Sequence, residues 1–479
     1  MRIESLRLQN FRGYVDREFT LHPQFNLVIG ENGSGKTSFL EAAAVAIGSW
    51  LLGFRGHDSR NIWDRDVRHV LDFVEKRYRE LPQYPVSVTA TAKLHIARVG
   101  RNSPEEEITY LAPTSKDRPN PYEAPVRWER SMEGLGGRTT RGGAAALKKW
   151  AEKMANSVMK QEPLVLPLVR YFGAGRLWES VRDTSGKALS KHKGKQPAEL
   201  AEDADDLEKA LHDFDRLSEP FFGYRMSVDK RCNPNDLIRW MGVERRNELD
   251  EEDSSPALRL VYQAIEAMLP EIASARYSTK LRTLVLKYQS GELHTFNELS
   301  DGYRNVVAIA ADLAIKAAML NPQLGDRALE LTPGVVLIDE LDLHLHPKWQ
   351  RRVIGDLRRT FPMLQFICTT HSPFLIQSLR SGEELIVLDG QPTSNLGQMP
   401  VEEIAHGIMG VANTEVSEEY DAMRQVATHY LETLELAALA PSDKQEAFKE
   451  RLAQAIAPYA HNPAYQAFLE LKRAAKLGE

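Results

Sequence analysis

The chain has 479 residues, 61 Lys plus Arg against 67 Asp plus Glu, a formal net charge of -6 and 42% apolar residues. That is ample for one large or two medium domains with a real core, and it gives no overall electrostatic pull toward nucleic acid, although a local basic patch is still allowed. Two cysteines, Cys232 and Cys368, supply neither a disulfide framework nor a cysteine-based zinc site, and the absence of a signal run or a long uncharged apolar span predicts a cytoplasmic protein with no membrane partner.

In chain order, MRIESLRLQNFRGY (1–14) alternates with period two and reads as a strand, and REFTLHP (17–23) reads as a second. FNLVIG (25–30) then leads into GENGSGKT (30–37) and the apolar run SFLEAAAVAIGSWLLG (38–53), the strand, glycine-rich loop and helix order of a phosphate-binding loop. Gly30, Gly33 and Gly35 let backbone amides converge on a β-phosphate, Lys36 neutralises the β and γ oxygens, and Thr37 offers a hydroxyl to Mg²⁺. Asn32, Ser34 and Ser38 complete the candidate ATP-binding stretch. YPVSVTATAKLHIA (84–97), EEITYLA (106–112) and APVRWERS (124–131) predict an antiparallel sheet flanking this site, and LVLPLVRYFGAGRLW (164–178) a buried strand ending in a glycine turn.

A basic run at 182–195 followed by an acidic one at 199–208 predicts an exposed, mobile surface segment, with DNA or RNA contact as the alternative. Residues 206–275 read mainly as helices, carried by NPNDLIRWMGVERR (233–246) and PALRLVYQAIEAMLPEIA (256–273). LRTLVLKYQSGELHTFNELS (281–300) reads as a hairpin turning at Ser290 and Gly291, followed by the helix YRNVVAIAADLAIKAAML (303–320). In VVLIDELDLHLHP (335–347) the pattern predicts a buried strand that delivers Asp339 as a Mg²⁺ partner, direct or through water, and Glu340 as the residue polarising water for attack on the γ-phosphate. One strand further, LQFICTTHSPF (364–374) buries Cys368 and ends at His371, which could sense the γ-phosphate or hold the attacking water. His344 and His346 lack a matching ligand set and suit packing or an interface better than metal. The stretch 382–391 reads as a strand, and segments 417–440, 443–457 and 463–476 as helices offering a partner or oligomer surface.

Over 1–180 and 280–390 these motifs resemble an ABC-type ATPase of the RecF, Rad50, SMC and OLD lineage. ELSDGYRN (298–305) looks like a variant of that lineage's LSGGQ signature: Ser300 and Gly302 occupy its serine and second glycine, while Asp301 and Tyr303 replace the first glycine and the glutamine. The resemblance implies an α/β fold, an ABC-ATPase-like P-loop head with mixed β-sheets, an inserted helical lobe and a helical C-terminal region. Residues 1–180 and 279–395 would form the head, 181–278 an inserted flexible segment and helical lobe, and 396–479 a helical partner or oligomerisation region. It also implies self-association head to tail around two ATPs, with Ser300 and Gly302 reaching the partner's nucleotide and Asp342 crossing the same interface. Arg12, in FRGY (11–14), matches the lineage's phosphate-approaching arginine, whereas RYFGAGRLW (170–178) offers no assignable lid-loop glutamine.

More narrowly, GYR (223–225), DLIRWM (236–241), SDGYRN and the helical tail are similar to the PtuA ATPases of Septu and retron-associated antiphage defence. That similarity implies ATP hydrolysis by Lys36, Glu340 and His371 in control of a separate HNH nuclease subunit. DNA or RNA, and a retron reverse transcriptase with its nucleic acid, are the further partners it suggests. No HNH pattern is present and Asp389 stands alone in LIVLDG, so intrinsic nuclease activity is not expected. A RecF-like repair or recombination ATPase and a nucleotide-controlled scaffold are the alternatives. An ABC transporter and a long coiled coil are set aside for want of a membrane span and of sustained heptads.

Overall fold

Five short strands with every residue buried require a sheet covered on both faces, the setting of parallel strands. They are Phe25–Ile29, Leu168–Phe172, Gly334–Ile338, Leu364–Thr369 and Leu385–Val387. All pair in parallel, in the order Leu168–Phe172, Gly334–Ile338, Leu364–Thr369, Phe25–Ile29, Leu385–Val387. The register sets Phe172 opposite Ile338, Ile338 opposite Cys368 and Thr369 opposite Val28, so the loops leaving these strands gather along one sheet edge. Such an edge is where open parallel sheets bind ligands.

This computed structural model describes residues 1–57, 59–74, 77–94, 97–98, 109–110, 125–177, 221–251, 255–388 and scattered positions between 401 and 471. The chain divides into the units Met1–Met399 and Pro400–Glu479, and both nucleotide motifs lie in the first. The charged runs at 182–195 and 199–208 lie outside the described residues, as do the tail helices apart from Tyr430 and Leu471.

A second, antiparallel sheet runs Tyr14–Thr20, Arg2–Phe11, Val86–Lys93, Pro125–Met132. Between the two sheets lies the helix Lys36–Gly48, packed on strands of both and buried from Phe39 to Gly48. Its FLEAAAVAIG sequence explains this: a helix apolar on every side but for Glu41, which is paired with Arg60, and thinned by alanines can be covered all round. Trp128 of the antiparallel sheet donates Nε1–H to Ala46 O at 3.1 Å. Gln365 bonds the N–H and C=O of Ile3, both at 2.8 Å, and so fastens the parallel sheet to the first strand.

The helix Asp301–Leu320 packs on the outer strand Leu168–Phe172 and in turn carries the helices Pro234–Glu251 and Pro256–Met268. The second of these starts at a Ser255 cap with Pro256 behind it. It ends at Met268, before Pro270, and the chain re-enters a strand, Ile272–Ser278, that pairs with Thr283–Tyr288. The helical reading through 275 is thus corrected at its end, because Pro270 cannot continue the helical hydrogen bonds. The hairpin expected over 281–300 is present as Thr283–Tyr288 and Leu293–Thr295, turning at Gly291 with φ 92°.

Candidate functional site

The loop between Phe25–Ile29 and Lys36–Gly48 contains two residues in the left-handed region that glycine enters at little cost, Gly33 (φ 89°) and Gly35 (φ 102°). A Cβ on Gly35 would meet Tyr14 Oη at 3.0 Å, and Tyr14 donates that hydroxyl to Gly35 O at 3.1 Å, so the turn at 12–13 sits directly against the loop. The helix start, with no acidic residue in its first turn, presents its backbone N–H groups and positive dipole end as an anion site. Lys36 is buried there and donates Nζ–H to Gly30 O at 2.7 Å and Glu31 O at 2.8 Å. Asn32 is exposed and Ser34 and Ser38 half-buried on the same turn. Arg12, by contrast, is tied by Nε and Nη2 to Asp66 Oδ1 at 3.0 and 2.8 Å. Asp66 also binds Arg60, whose Nε and Nη2 reach Glu41 of the loop helix, so Arg12 is anchored to the framework beside the loop.

At the end of Gly334–Ile338 the chain presents two carboxylates in different settings. Asp339 is buried, and its Oδ2 accepts from Thr37 Oγ1 at 3.2 Å across 302 residues of sequence, while its Oδ1 accepts from Thr369 Oγ1 at 2.6 Å. Glu340 is half-buried with φ 49°, a left-handed backbone uncommon for a side-chain-bearing residue. Its N–H donates to the same Thr369 hydroxyl at 2.8 Å and its carbonyl accepts from Arg176 Nη2 at 3.1 Å. Thr369 therefore orders both acids at once. Arg176, 2% exposed and lowered to about 10 by burial, also donates Nη1–H to Asp339 O at 2.7 Å.

Among the described residues no group of three His, Cys, Asp or Glu side chains could hold a metal. The adjacent oxygens of Thr37 and Asp339 instead fit a hard cation such as Mg²⁺, which commonly takes one or two protein oxygens and completes its shell with phosphate and water.

His371 follows the strand Leu364–Thr369 and is exposed. Its neighbour Thr370 donates to Asp342 Oδ1 at 2.5 Å, holding the loop after Glu340 against the strand end. His346 accepts Lys348 N–H on Nδ1 at 3.2 Å as the cap of the short helix Pro347–Gln350, a local structural use in keeping with its sequence reading. Ser300 is the exposed N-cap residue of Asp301–Leu320, with no side-chain capping bond. Gly302 is needed within the chain itself, since a Cβ there would stand 2.5 Å from His344 O.

The sheet edge thus brings Lys36, Thr37, Asp339, Glu340 and His371 to adjoining loops, whereas Arg12 is engaged by Asp66 and Ser300 lies at the start of a separate helix. Tyr14, Arg176, Asn305, Thr369 and Thr370 join the site without a role assigned from the sequence. Thr369 and Thr370 directly precede His371, so the strand-end rule applied to His371 would have reached them; Arg176 and Asn305 carry no local signal.

A family model described as an AAA domain matches residues 5–272, and a second AAA domain model matches residues 234–377. The chain is 24% identical over 428 residues to "Retron Vc95 probable ATPase" of Vibrio cholerae, covering 82% of this chain and 76% of that one. It is 31% identical over 142 residues to the Septu protein PtuA of Bacillus thuringiensis, 27% of this chain and 36% of that one. Over 95 residues it is 34% identical to the DNA replication and repair protein RecF of Oceanobacillus iheyensis, 19% of this chain and 25% of that one.

Proposed function

We propose that this chain, which belongs to the AAA-domain family whose model spans residues 5–272, is the ATPase subunit of an antiphage defence complex and controls a separate HNH-type nuclease through nucleotide-dependent pairing of heads. The chain is an ATP-binding and hydrolysing P-loop protein related to Septu, retron and RecF-like ATPases. The likeness to the retron ATPase across 82% of the chain carries the defence reading.

In this reading Gly30, Gly33, Gly35 and the start of Lys36–Gly48 receive the phosphates, and Lys36 leaves the Gly30 and Glu31 carbonyls to neutralise them. Thr37 and Asp339 would hold Mg²⁺, which when bound would supply charge neutralisation at the phosphates. Glu340 orients and polarises the attacking water, and His371, exposed two residues beyond Thr369, serves as the γ-phosphate contact. Ser300 and the N-terminus of Asp301–Leu320 offer a hydroxyl and a positive helix end to the nucleotide of a second copy, with Asp342 near the same interface. Among the described residues no helix is long and apolar enough to cross a membrane.

The test is ATP-dependent co-purification of the Glu340→Gln chain with its neighbouring-gene products. Recovery of an HNH nuclease is expected. Recovery of recombination proteins alone, with ATPase stimulated by DNA ends or gaps, would move the function to RecF-like repair, a reading favoured by the 95-residue match to RecF.

A further inference from the structure

We propose that Arg176 and Asn305 are positioning residues that make the geometry of Glu340 depend on the helix Asp301–Leu320, an inference that rests on the roles given above to Glu340 and Ser300. Arg176 lies in RYFGAGRLW (170–178), where no lid-loop glutamine is assignable. Its Nε donates to Asn305 Oδ1 at 2.6 Å, Nη1 to Gly173 O at 2.9 Å and Asp339 O at 2.7 Å, and Nη2 to Glu340 O at 3.1 Å. Its backbone carbonyl accepts Cys232 N–H at 2.8 Å. The rigid planar fork thus grips two successive carbonyls of the carboxylate turn and one side chain of the helix.

None of these hydrogen bonds goes to a carboxylate. A buried cation satisfied by carbonyls and one amide is a poor way to gain stability, because the desolvation of the charge is only partly offset. Its effect is geometric. Glu340 occupies a left-handed backbone (φ 49°) that an L residue adopts at a cost, and it is clamped there from both sides, its N–H on Thr369 Oγ1 and its C=O on Arg176. Releasing the Arg176 end lets the turn relax toward ordinary φ and swings the Glu340 carboxylate away from the phosphate edge.

Asn305 connects that clamp to the helix. It is 1% exposed, sits roughly 7 Å along the helix axis from Ser300, and donates Nδ2–H to Leu343 O at 3.2 Å in the loop carrying Asp342. One amide therefore touches both the arginine that holds Glu340 and the loop beyond it. A second copy drawing on the exposed Ser300 end shifts Asn305, and with it the one side chain of this helix that, among the described residues, bonds Arg176. Hydrolysis is in this way conditional on the helix being seated.

The test uses the full chain with Asn305→Leu, Asn305→Asp and Arg176→Lys. ATP affinity is measured with a fluorescent ATP analogue, ATP-dependent association by light scattering in the Glu340→Gln background, and the saturating ATPase rate by phosphate release. For Asn305→Leu and Arg176→Lys the rate is expected to fall roughly tenfold or more, while affinity and association stay within about twofold. Asn305→Asp, which keeps an acceptor for Arg176 Nε, is expected to recover most of the rate. A rate within about twofold of wild type in both Asn305→Leu and Arg176→Lys, or equal proportional losses of rate and affinity, overturns the proposal. If Asn305→Leu fails to fold, Arg176→Lys and Asn305→Asp decide it alone. Ser300→Arg separates the two levels: unchanged association and rate there would remove the paired-head reading itself, whereas a normal Ser300 effect with silent Asn305 and Arg176 variants removes only the coupling.

Discussion

Replacing Thr369 by Val keeps the shape of a side chain that is 1% exposed and deletes one oxygen. That oxygen donates to Asp339 Oδ1 at 2.6 Å and accepts from Glu340 N–H at 2.8 Å. A short bond to a carboxylate acceptor contributes about 1.5–3 kcal/mol, and a part-buried N–H left without its partner costs at most about 1–3 kcal/mol. Because the two terms overlap, we expect a loss of about 2–4 kcal/mol in stability, with no cavity term since the volume is unchanged. The functional loss should be more specific. Asp339 loses the donor that sets its rotamer toward Thr37, so the Mg²⁺ concentration for half-maximal activity should rise and kcat should fall by roughly 10–100-fold, the usual effect of removing a partner that orients a metal ligand. The assay is phosphate release titrated with Mg²⁺ at saturating ATP, alongside thermal unfolding and ATP binding in EDTA. Thr369→Ser, which retains the hydroxyl, should stay near wild type. A folded Thr369→Val protein with both Mg²⁺ dependence and kcat within about twofold of wild type would refute this account of the acid pair.

Lys36→Ala should weaken ATP binding by roughly 10–100-fold through loss of phosphate neutralisation, whereas Glu340→Gln should preserve binding, slow hydrolysis by about 10²-fold or more and accumulate paired heads; equal losses of affinity in both, by calorimetry, would contradict the assigned roles. Gly302→Ala forces a Cβ to within 2.5 Å of His344 O, so thermal unfolding should register a loss of about 1–3 kcal/mol even in isolated monomers, and an unchanged Tm would count against the close approach. Lys316, buried against Gly223 O and Arg225 O, is lowered to about 8 chiefly by burial. Its folded value lies below the ordinary lysine value, so the burden of charging it is full below pH 8 and is lifted as the pH rises from 8 toward 10.5. Stability should therefore gain on the order of 2 kcal/mol over that window, and Lys316→Met should flatten the gain in pH-dependent unfolding.

The parts of the site that depend on neighbours along the chain are legible in the residues alone. GENGSGKT between an apolar strand and an apolar helix specifies the phosphate loop, because glycine conformations and the helix start are local properties. VVLIDE and LQFICTTH specify buried strands with polar ends for the same reason, and Ser290–Gly291 specifies a hairpin turn. Which strand ends meet follows only from the folded sheet. Only the parallel register brings Thr37 to Asp339 and one threonine hydroxyl between two acids, a coincidence of residues 37, 339 and 369 that no local period records. It likewise gave Gly302 a packing reason, turned Arg12 toward Asp66, and set Arg176 between the carboxylate turn and the helix carrying Ser300. Hydrogen bonds act over about 3 Å whatever the separation along the chain, so these contacts exist only once the sheet has fixed the order of its strands.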